Sequence, residues 1–223
     1  MVHPQFQLPL FFEYGATFIW AITGAGMAVR RGYDYMGVFT MAFVSAMGGG
    51  LLRDGIFLQQ GPPVAVRTPI YIVIVLIGAV AGAVAAVAAG GKKPSPAWRA
   101  FSDVIDALGL GAYSCVGAQM ALDIGLGIPS AIFIGLVNGI GGGLLRDILV
   151  NRIWMLPGQL LGIPALIGTI IFVGLVVPPL HLDPTWAAWI AIAVTFFFRL
   201  LAIRYDWRTQ ALLPADAIEH DAI

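Results

Sequence analysis

The chain has 223 residues, of which 59% are hydrophobic and only 11% are charged, and its mean hydropathy is +0.89. Soluble globular domains are about half apolar and about a quarter charged, so this composition excludes an ordinary soluble protein and indicates an integral membrane protein. The 12 basic and 12 acidic residues balance, which argues against a nucleic-acid-binding protein because such domains carry an excess of positive charge.

Seven apolar segments are long enough to cross a bilayer as helices, which takes about 20 residues each. In chain order they cover residues 8–29, 35–58, 69–89, 101–122, 128–150, 158–178 and 185–203. Turn-rich or charged strings such as RRGYD and GGKKPSPAW separate them. The sequence therefore predicts an all-α integral membrane protein with seven transmembrane helices.

The basic residues of the connections lie almost entirely on one side of the membrane. The other side receives only Arg67, whereas this side receives Arg30, Arg31, Lys92, Lys93, Arg99, Arg152, Arg204 and Arg208. Cytoplasmic loops carry the excess of lysine and arginine. We therefore expect a multi-pass protein of the cell inner (plasma) membrane, with the N-terminus outside and the C-terminus in the cytoplasm.

An internal repeat relates the two halves of the chain. The string GGGLLRD occurs at residues 48–54 and again 93 positions later, and the same shift aligns Glu13 with Asp106 and Ser45 with Asn138. Each unit holds three spans, an odd number, so the second unit lies inverted in the membrane, a design typical of transporters and channels. The predicted divisions are a first three-helix repeat (1–93), a second, inverted three-helix repeat (94–182), a seventh transmembrane helix (183–205) and a cytoplasmic tail (206–223).

The glycine triplets of the motif lie near the middle of the second and fifth spans. They are Gly48, Gly49 and Gly50, and Gly141, Gly142 and Gly143. Each glycine costs a helix interior about 1 kcal/mol relative to alanine. Two interpretations remain open: close helix packing, or a bent or broken helix whose freed carbonyls line an ion or solute path. Ser45 and Asn138, one turn earlier, are candidates for lining that path or for an interhelical hydrogen bond.

Six charged residues of the predicted spans are candidates for function, because charge is expensive in the membrane and often marks function. They are Glu13, Arg53, Asp54, Asp106, Arg146 and Asp147. Neighbours in sequence point about 100° apart on a helix, so Arg53 and Asp54 are not expected to be each other's main partners. The inversion predicts instead the ion pairs Glu13–Arg53 and Asp106–Arg146, either as part of a conduction path or as links between helices.

The sequence carries no motif that indicates an enzyme. It lacks HExxH, G-x-S-x-G and paired cysteines, and GGGLLRD is not a phosphate loop because no Lys-Ser or Lys-Thr follows it. The one cysteine, Cys115, and the scattered histidines His3, His181 and His220 do not form a metal motif. We expect no catalytic residues, no bound metal and no cofactor.

The two copies of GGGLLRD, at equivalent places in a seven-span chain of this size, closely resemble the prokaryotic TRIC family, the trimeric intracellular cation channels. The resemblance covers about residues 8–205. It implies a homotrimer with one pore per protomer that passes potassium and other monovalent cations. It also implies that the second and fifth helices are kinked at their triple glycines and line the pore. The expected partners are these cations, membrane lipid and further copies of the chain.

Two other functions remain open. Sequences of this type are also grouped in a bacterial family labelled a glycine transporter, so the alternative is a secondary transporter of glycine or a similar small amino acid. Such a carrier would use the same inverted repeat, with half-helix N-termini holding a substrate carboxylate. The third possibility is a structural or assembly protein whose charges only hold helices together.

Overall fold

A computed structural model of the chain describes residues 6–150 and 162–207. Within these ranges the chain forms α1 (Leu10–Arg30), α2 (Tyr35–Leu52), α3 (Val64–Arg67), α4 (Pro69–Ala88), α5 (Pro96–Asp123), α6 (Ile128–Leu149), α7 (Gly162–Val176) and α8 (Pro184–Arg204). Beyond Leu52, α2 continues as a π-helical segment, Arg53–Leu58. Several residues used above lie outside the described residues: His3, Arg152, Arg208, His220, the start of the sixth predicted span and most of the predicted tail.

The predicted all-α class and the seven spans are confirmed by the described residues. Five helices are both long and apolar enough to cross a membrane: α2 with its π-helical segment, α4, α5, α6 and α8. The other two spans correspond to α1 and to α7, whose described part begins at Gly162. The short α3 lies in the connection between the second and third spans. The chain is a multi-pass membrane protein.

Polar caps and prolines decide where several helices begin. The Asp34 side chain accepts a hydrogen bond from the Gly37 backbone N–H at 2.8 Å at the start of α2. Ser95 accepts from the Trp98 N–H at 3.1 Å, and Pro96 follows it as the first residue of α5. Such a cap satisfies a free N–H of the first turn. The helix α5 therefore begins at Pro96, five residues before the predicted span 101–122. Hydropathy alone does not detect a first turn made of polar residues.

The two repeats pack in the same way around equivalent glycines. An added Cβ at Gly24 in α1 would lie 2.5 Å from the Met41 carbonyl oxygen in α2. The equivalent Cβ at Gly117 in α5 would lie 3.0 Å from the Ile134 carbonyl oxygen in α6. Gly117 follows Gly24 by 93 residues, and Ile134 follows Met41 by the same 93 residues. The α1–α2 and α5–α6 crossings are therefore copies of one another.

The third helix of each repeat and the seventh span complete the bundle. In the first repeat α4 packs on α1, where an added Cβ at Gly82 would lie 2.5 Å from the Ile22 carbonyl oxygen. In the second repeat α7 packs against α5 and α6. Finally α8 covers α5 and α7, where Ala187, Ala188 and Ala191 are fully buried. The helices α1, α2, α5 and α6 are left at the centre, where the two repeats meet.

Candidate functional site

The two glycine triplets meet where α2 crosses α6. An added Cβ at Gly48 would lie 3.1 Å from the Cα of Gly142, and an added Cβ at Gly141 would lie 3.0 Å from the Cα of Gly49. A shift of 93 residues converts each of these contacts into the other. The two contacts therefore lie at the pseudo-two-fold axis that relates the repeats. Glycine is needed here because only hydrogen atoms separate the two backbones.

The same crossing brings each triplet against the polar residue of the other repeat. An added Cβ at Gly49 would overlap the backbone carbonyl of Asn138, and one at Gly142 would lie 2.9 Å from the carbonyl oxygen of Ser45. The triplets therefore pack closely against the facing helix, and their role in lining a path stays a prediction. Because the crossing is so close, Ser45 and Asn138 are held on opposite sides of the axis.

Both triplets lie inside uninterrupted α-helix. The helices are therefore not broken at the glycines, and the predicted kinks that would line a pore stay predictions. The reason is that close contact with the facing helix replaces the packing that the missing side chains would supply. Instead, α2 leaves α-helical geometry at Arg53–Leu58, whereas the equivalent Arg146 is followed by regular α-helix as far as Leu149.

Ser45 and Asn138 are buried and each carries an oxygen without a partner. They are 7% and 4% exposed, and neither Ser45 Oγ nor Asn138 Oδ1 makes a hydrogen bond. The Asn138 amide nitrogen donates to the Tyr113 backbone carbonyl at 2.6 Å, which fixes which way the amide points. A buried polar atom without a partner costs free energy. Two such atoms at equivalent positions beside the crossing mark a place where a polar ligand or water would be stabilised.

The intramembrane arginines pair with their neighbours in sequence. Arg53 Nε lies 2.6 Å from Asp54 Oδ1 and Arg53 Nη2 lies 3.0 Å from Asp54 Oδ2. In the second repeat Arg146 Nε lies 3.3 Å from Asp147 Oδ1. The expectation that Arg53 and Asp54 are not partners is wrong, because it used the directions of the Cβ atoms. The long arginine stem carries the guanidinium back over the neighbouring carboxylate.

The predicted pairs Glu13–Arg53 and Asp106–Arg146 are also wrong, since neither is an ion pair within 4 Å among the described residues. The two carboxylates accept hydrogen bonds from aromatic side chains instead. Trp20 Nε1 donates to Asp106 Oδ1 at 2.6 Å, and Tyr71 shares a side-chain hydrogen bond with Glu13. Arg146 nevertheless acts electrostatically on Asp106.

Sequence reasoning missed a pair of aromatic side chains at the centre. The rings of Trp20 in α1 and Tyr113 in α5 contact each other, with centroids 5.4 Å apart and planes at 57°. The two positions are separated by the same shift of 93. That shift was the signal that could have found them, because Trp20 is the one aromatic residue of α1 that it aligns with an aromatic residue of α5.

The described residues contain no group of three or more His, Cys, Asp or Glu side chains that could hold a metal ion. Cys115 is buried with a free thiol in the core between α5, α6 and α7. His181 lies in the connection before α8. The polar groups that the fold gathers at its centre are therefore Ser45, Asn138 and the charged clusters on either side of them.

A family model described as "Glycine transporter" matches residues 10–88 and 103–177. The chain belongs to this family. The two matched segments begin 93 residues apart and each contains the helices of one repeat. The boundaries predicted for the repeats at residues 93 and 182 stay predictions.

Two bacterial membrane proteins illustrate the relatives. The inner membrane protein YadS of Escherichia coli strain K12 is 29% identical over 96% of this chain and 99% of its own length. A UPF0126 membrane protein of Deinococcus radiodurans is 35% identical, in a match that spans 60% of this chain and 59% of that protein. Both relatives are membrane proteins.

Solved structures share the fold. A TRIC cation channel solved to explain conductance superposes with a TM-score of 0.80 over 93% of this chain and 98% of its own, at 24% identity. The TRIC trimeric intracellular cation channel orthologue from Rhodobacter sphaeroides is 28% identical, with a TM-score of 0.73 over 89% of this chain and 98% of its own. The resemblance to the prokaryotic TRIC family is confirmed, and with it the fold of two inverted three-helix repeats plus a seventh helix.

Proposed function

We propose that the protein is a cation channel, permeable to potassium, whose path runs inside each protomer between α1, α2, α5 and α6. The fold shared with TRIC cation channels supports this function. The observation that carries it is the pair of unpartnered oxygens, Ser45 Oγ and Asn138 Oδ1, at equivalent positions beside the α2–α6 crossing.

The chemistry of these oxygens favours a cation over an anion. Asn138 uses one amide N–H on the Tyr113 carbonyl, which turns its carbonyl oxygen away from that carbonyl; this unpartnered oxygen can accept a hydrogen bond or coordinate a cation. Polar groups at this depth are tolerated where they line a water-filled cavity. A partly dehydrated potassium ion takes oxygen ligands of this kind.

The charge at one end of the path also favours cations. That end contains Arg53, Asp54 and Glu13. Arg53 and Asp54 neutralise each other, so the ionised Glu13 carboxylate gives this end a net negative charge, which attracts cations. The second end is the Asp106 cluster, in which three carboxylates and three guanidinium groups balance: Asp103, Asp106, Asp147, Arg99, Arg146 and Arg199.

In this proposal the glycine triplets act through packing. Gly48, Gly49 and Gly50, and Gly141, Gly142 and Gly143, leave the path free of side chains and hold α2 and α6 close together, with Ser45 and Asn138 on either side of the axis. The protein assembles as a homotrimer in the bacterial inner membrane, surrounded by lipid, with the Glu13 end outside and the Asp106 end in the cytoplasm. The structural neighbour from Rhodobacter sphaeroides, a trimeric cation channel, supports the trimer and the ion.

The experiment that tests the function is planar-bilayer recording of the purified protein across a potassium gradient, first without glycine and then with glycine added. We expect discrete unitary currents that reverse near the potassium equilibrium potential and do not depend on glycine. Silence in the bilayer together with saturable glycine counterflow in liposomes would contradict the channel and support the carrier that the family description names.

The path itself is tested by removing the two free oxygens. The variant Ser45→Ala/Asn138→Ala is expected to lower the unitary potassium conductance several-fold, because the ion loses two ligands at the crossing. The matched control is Ser130→Ala, which removes an exposed hydroxyl at the start of α6. Equal conductance in the double variant and the control would place the path elsewhere.

A further inference from the structure

Trp20 and Tyr113 occupy equivalent positions in the two repeats, and their rings touch. The pair therefore lies on the pseudo-two-fold axis. The Gly49–Gly142 region lies on the same axis for the same reason. A path between α1, α2, α5 and α6 has to cross the axis between these two contacts. In the proposed path the rings would therefore form one wall where it crosses the axis, and the glycine backbones would form the opposite wall.

Each ring is held in place by the other repeat. The Trp20 indole lies on Gly109 of α5, where an added Cβ would be 2.7 Å from the Cη2 atom, so no larger residue fits beneath it. Its Nε1–H donates to Asp106 at 2.6 Å. Tyr113 instead lies near Thr17 of α1. Trp20 is thus the ring whose hydrogen bond to a carboxylate holds it in place.

We infer that the Trp20–Tyr113 pair closes the proposed path at its midpoint and that Asp106 is the group that holds Trp20 in the closed position. The inference rests on the proposed function. An apolar constriction stops ions because water leaves it. A cation that arrives from the Asp106 end competes with the indole N–H for the carboxylate oxygen, and Trp20 is then free to turn away. Opening is therefore favoured by potassium on the Asp106 side.

Single-channel recording of Trp20→Phe tests the device, since phenylalanine keeps an aromatic ring but has no N–H. We expect a shift of the closed–open equilibrium toward the open state by roughly tenfold, as for the loss of a hydrogen bond to a charged group. Asp106→Asn, which weakens the same bond, should shift the equilibrium in the same direction and abolish its dependence on potassium at that end. Trp186→Phe, at an exposed tryptophan of α8, should behave as wild type.

Thiol accessibility tests the same device without any current. In a Cys115→Ala background, Ser45→Cys places a thiol against Gly24 of α1, one helical turn from Trp20. Trp20→Phe should raise its rate of modification by a positively charged methanethiosulfonate reagent several-fold over Trp186→Phe. An unchanged modification rate together with an unchanged equilibrium would overturn the inference. Absence of wild-type currents would contradict the proposed channel instead, and the modification rate would still decide whether Asp106 holds Trp20.

Discussion

A single methyl group at Gly49 would be enough to push α2 away from α6, because it would overlap the Asn138 carbonyl. Gly50, the next residue of the same triplet, has only Arg53 Nη2 near its missing Cβ, at 3.9 Å. The two positions therefore separate close packing from helix propensity. Packing alone makes Gly49 indispensable, whereas Gly50 carries the usual cost of glycine in a helix.

We predict that Gly49→Ala destabilises the folded protein by about 1–3 kcal/mol, as overpacking does. Gly50→Ala, the matched control, should leave stability unchanged or raise it by up to about 1 kcal/mol through helix propensity. The thermal unfolding midpoint of each variant in detergent, followed by tryptophan fluorescence, measures both effects. Equal shifts for the two substitutions would contradict the close crossing.

At the scale of helices, the two repeats end their equivalent spans differently. Beyond its triplet α2 becomes π-helical, and Asp54 both pairs with Arg53 and accepts a hydrogen bond from the Val64 N–H at 3.0 Å, which ties the end of α2 to α3. At the end of α6 the Leu149 and Val150 carbonyls are instead bound by side chains that follow α1, namely Tyr33 and Arg31. The symmetry of the sequence motif is thus not carried through to its surroundings.

The difference predicts unequal costs of breaking the two ion pairs. The Arg53 and Asp54 side chains are 7% and 9% exposed, against 21% and 16% for Arg146 and Asp147. Arg53→Ala should therefore destabilise the protein by about 3–5 kcal/mol, the usual cost of an orphaned buried charge. Arg146→Ala should cost less, because solvent reaches its pair. Chemical unfolding in a mild detergent compares them, and Arg53→Met/Asp54→Leu should recover most of the loss. An equal loss for both arginines would rule out burial as the cause.

For the molecule as a whole, the spans and the repeat could be predicted from the sequence, but the contacts between repeats could not. Apolar runs and the doubled GGGLLRD string are properties of single segments and survive in any packing. The partners of Arg53 depend on how far a side chain reaches, and the meeting of Trp20 with Tyr113 depends on how α1 approaches α5. Unbroken α-helix through the triplets likewise depends on the facing helix. These features depend on tertiary contacts, which the pattern of residues within a single segment does not determine.

The orientation of the whole molecule is open to a direct test. Because α4 is the single span between Gln60 and Lys93, these two residues should lie on opposite sides of the membrane, and both are exposed. The positive-inside rule assigns Lys93 to the cytoplasm. In a Cys115→Ala background, we predict that Gln60→Cys reacts with an impermeant maleimide in intact cells, whereas Lys93→Cys reacts only after permeabilisation. The reverse pattern would mean that the Asp106 end faces outward, and the side from which potassium favours opening would reverse with it.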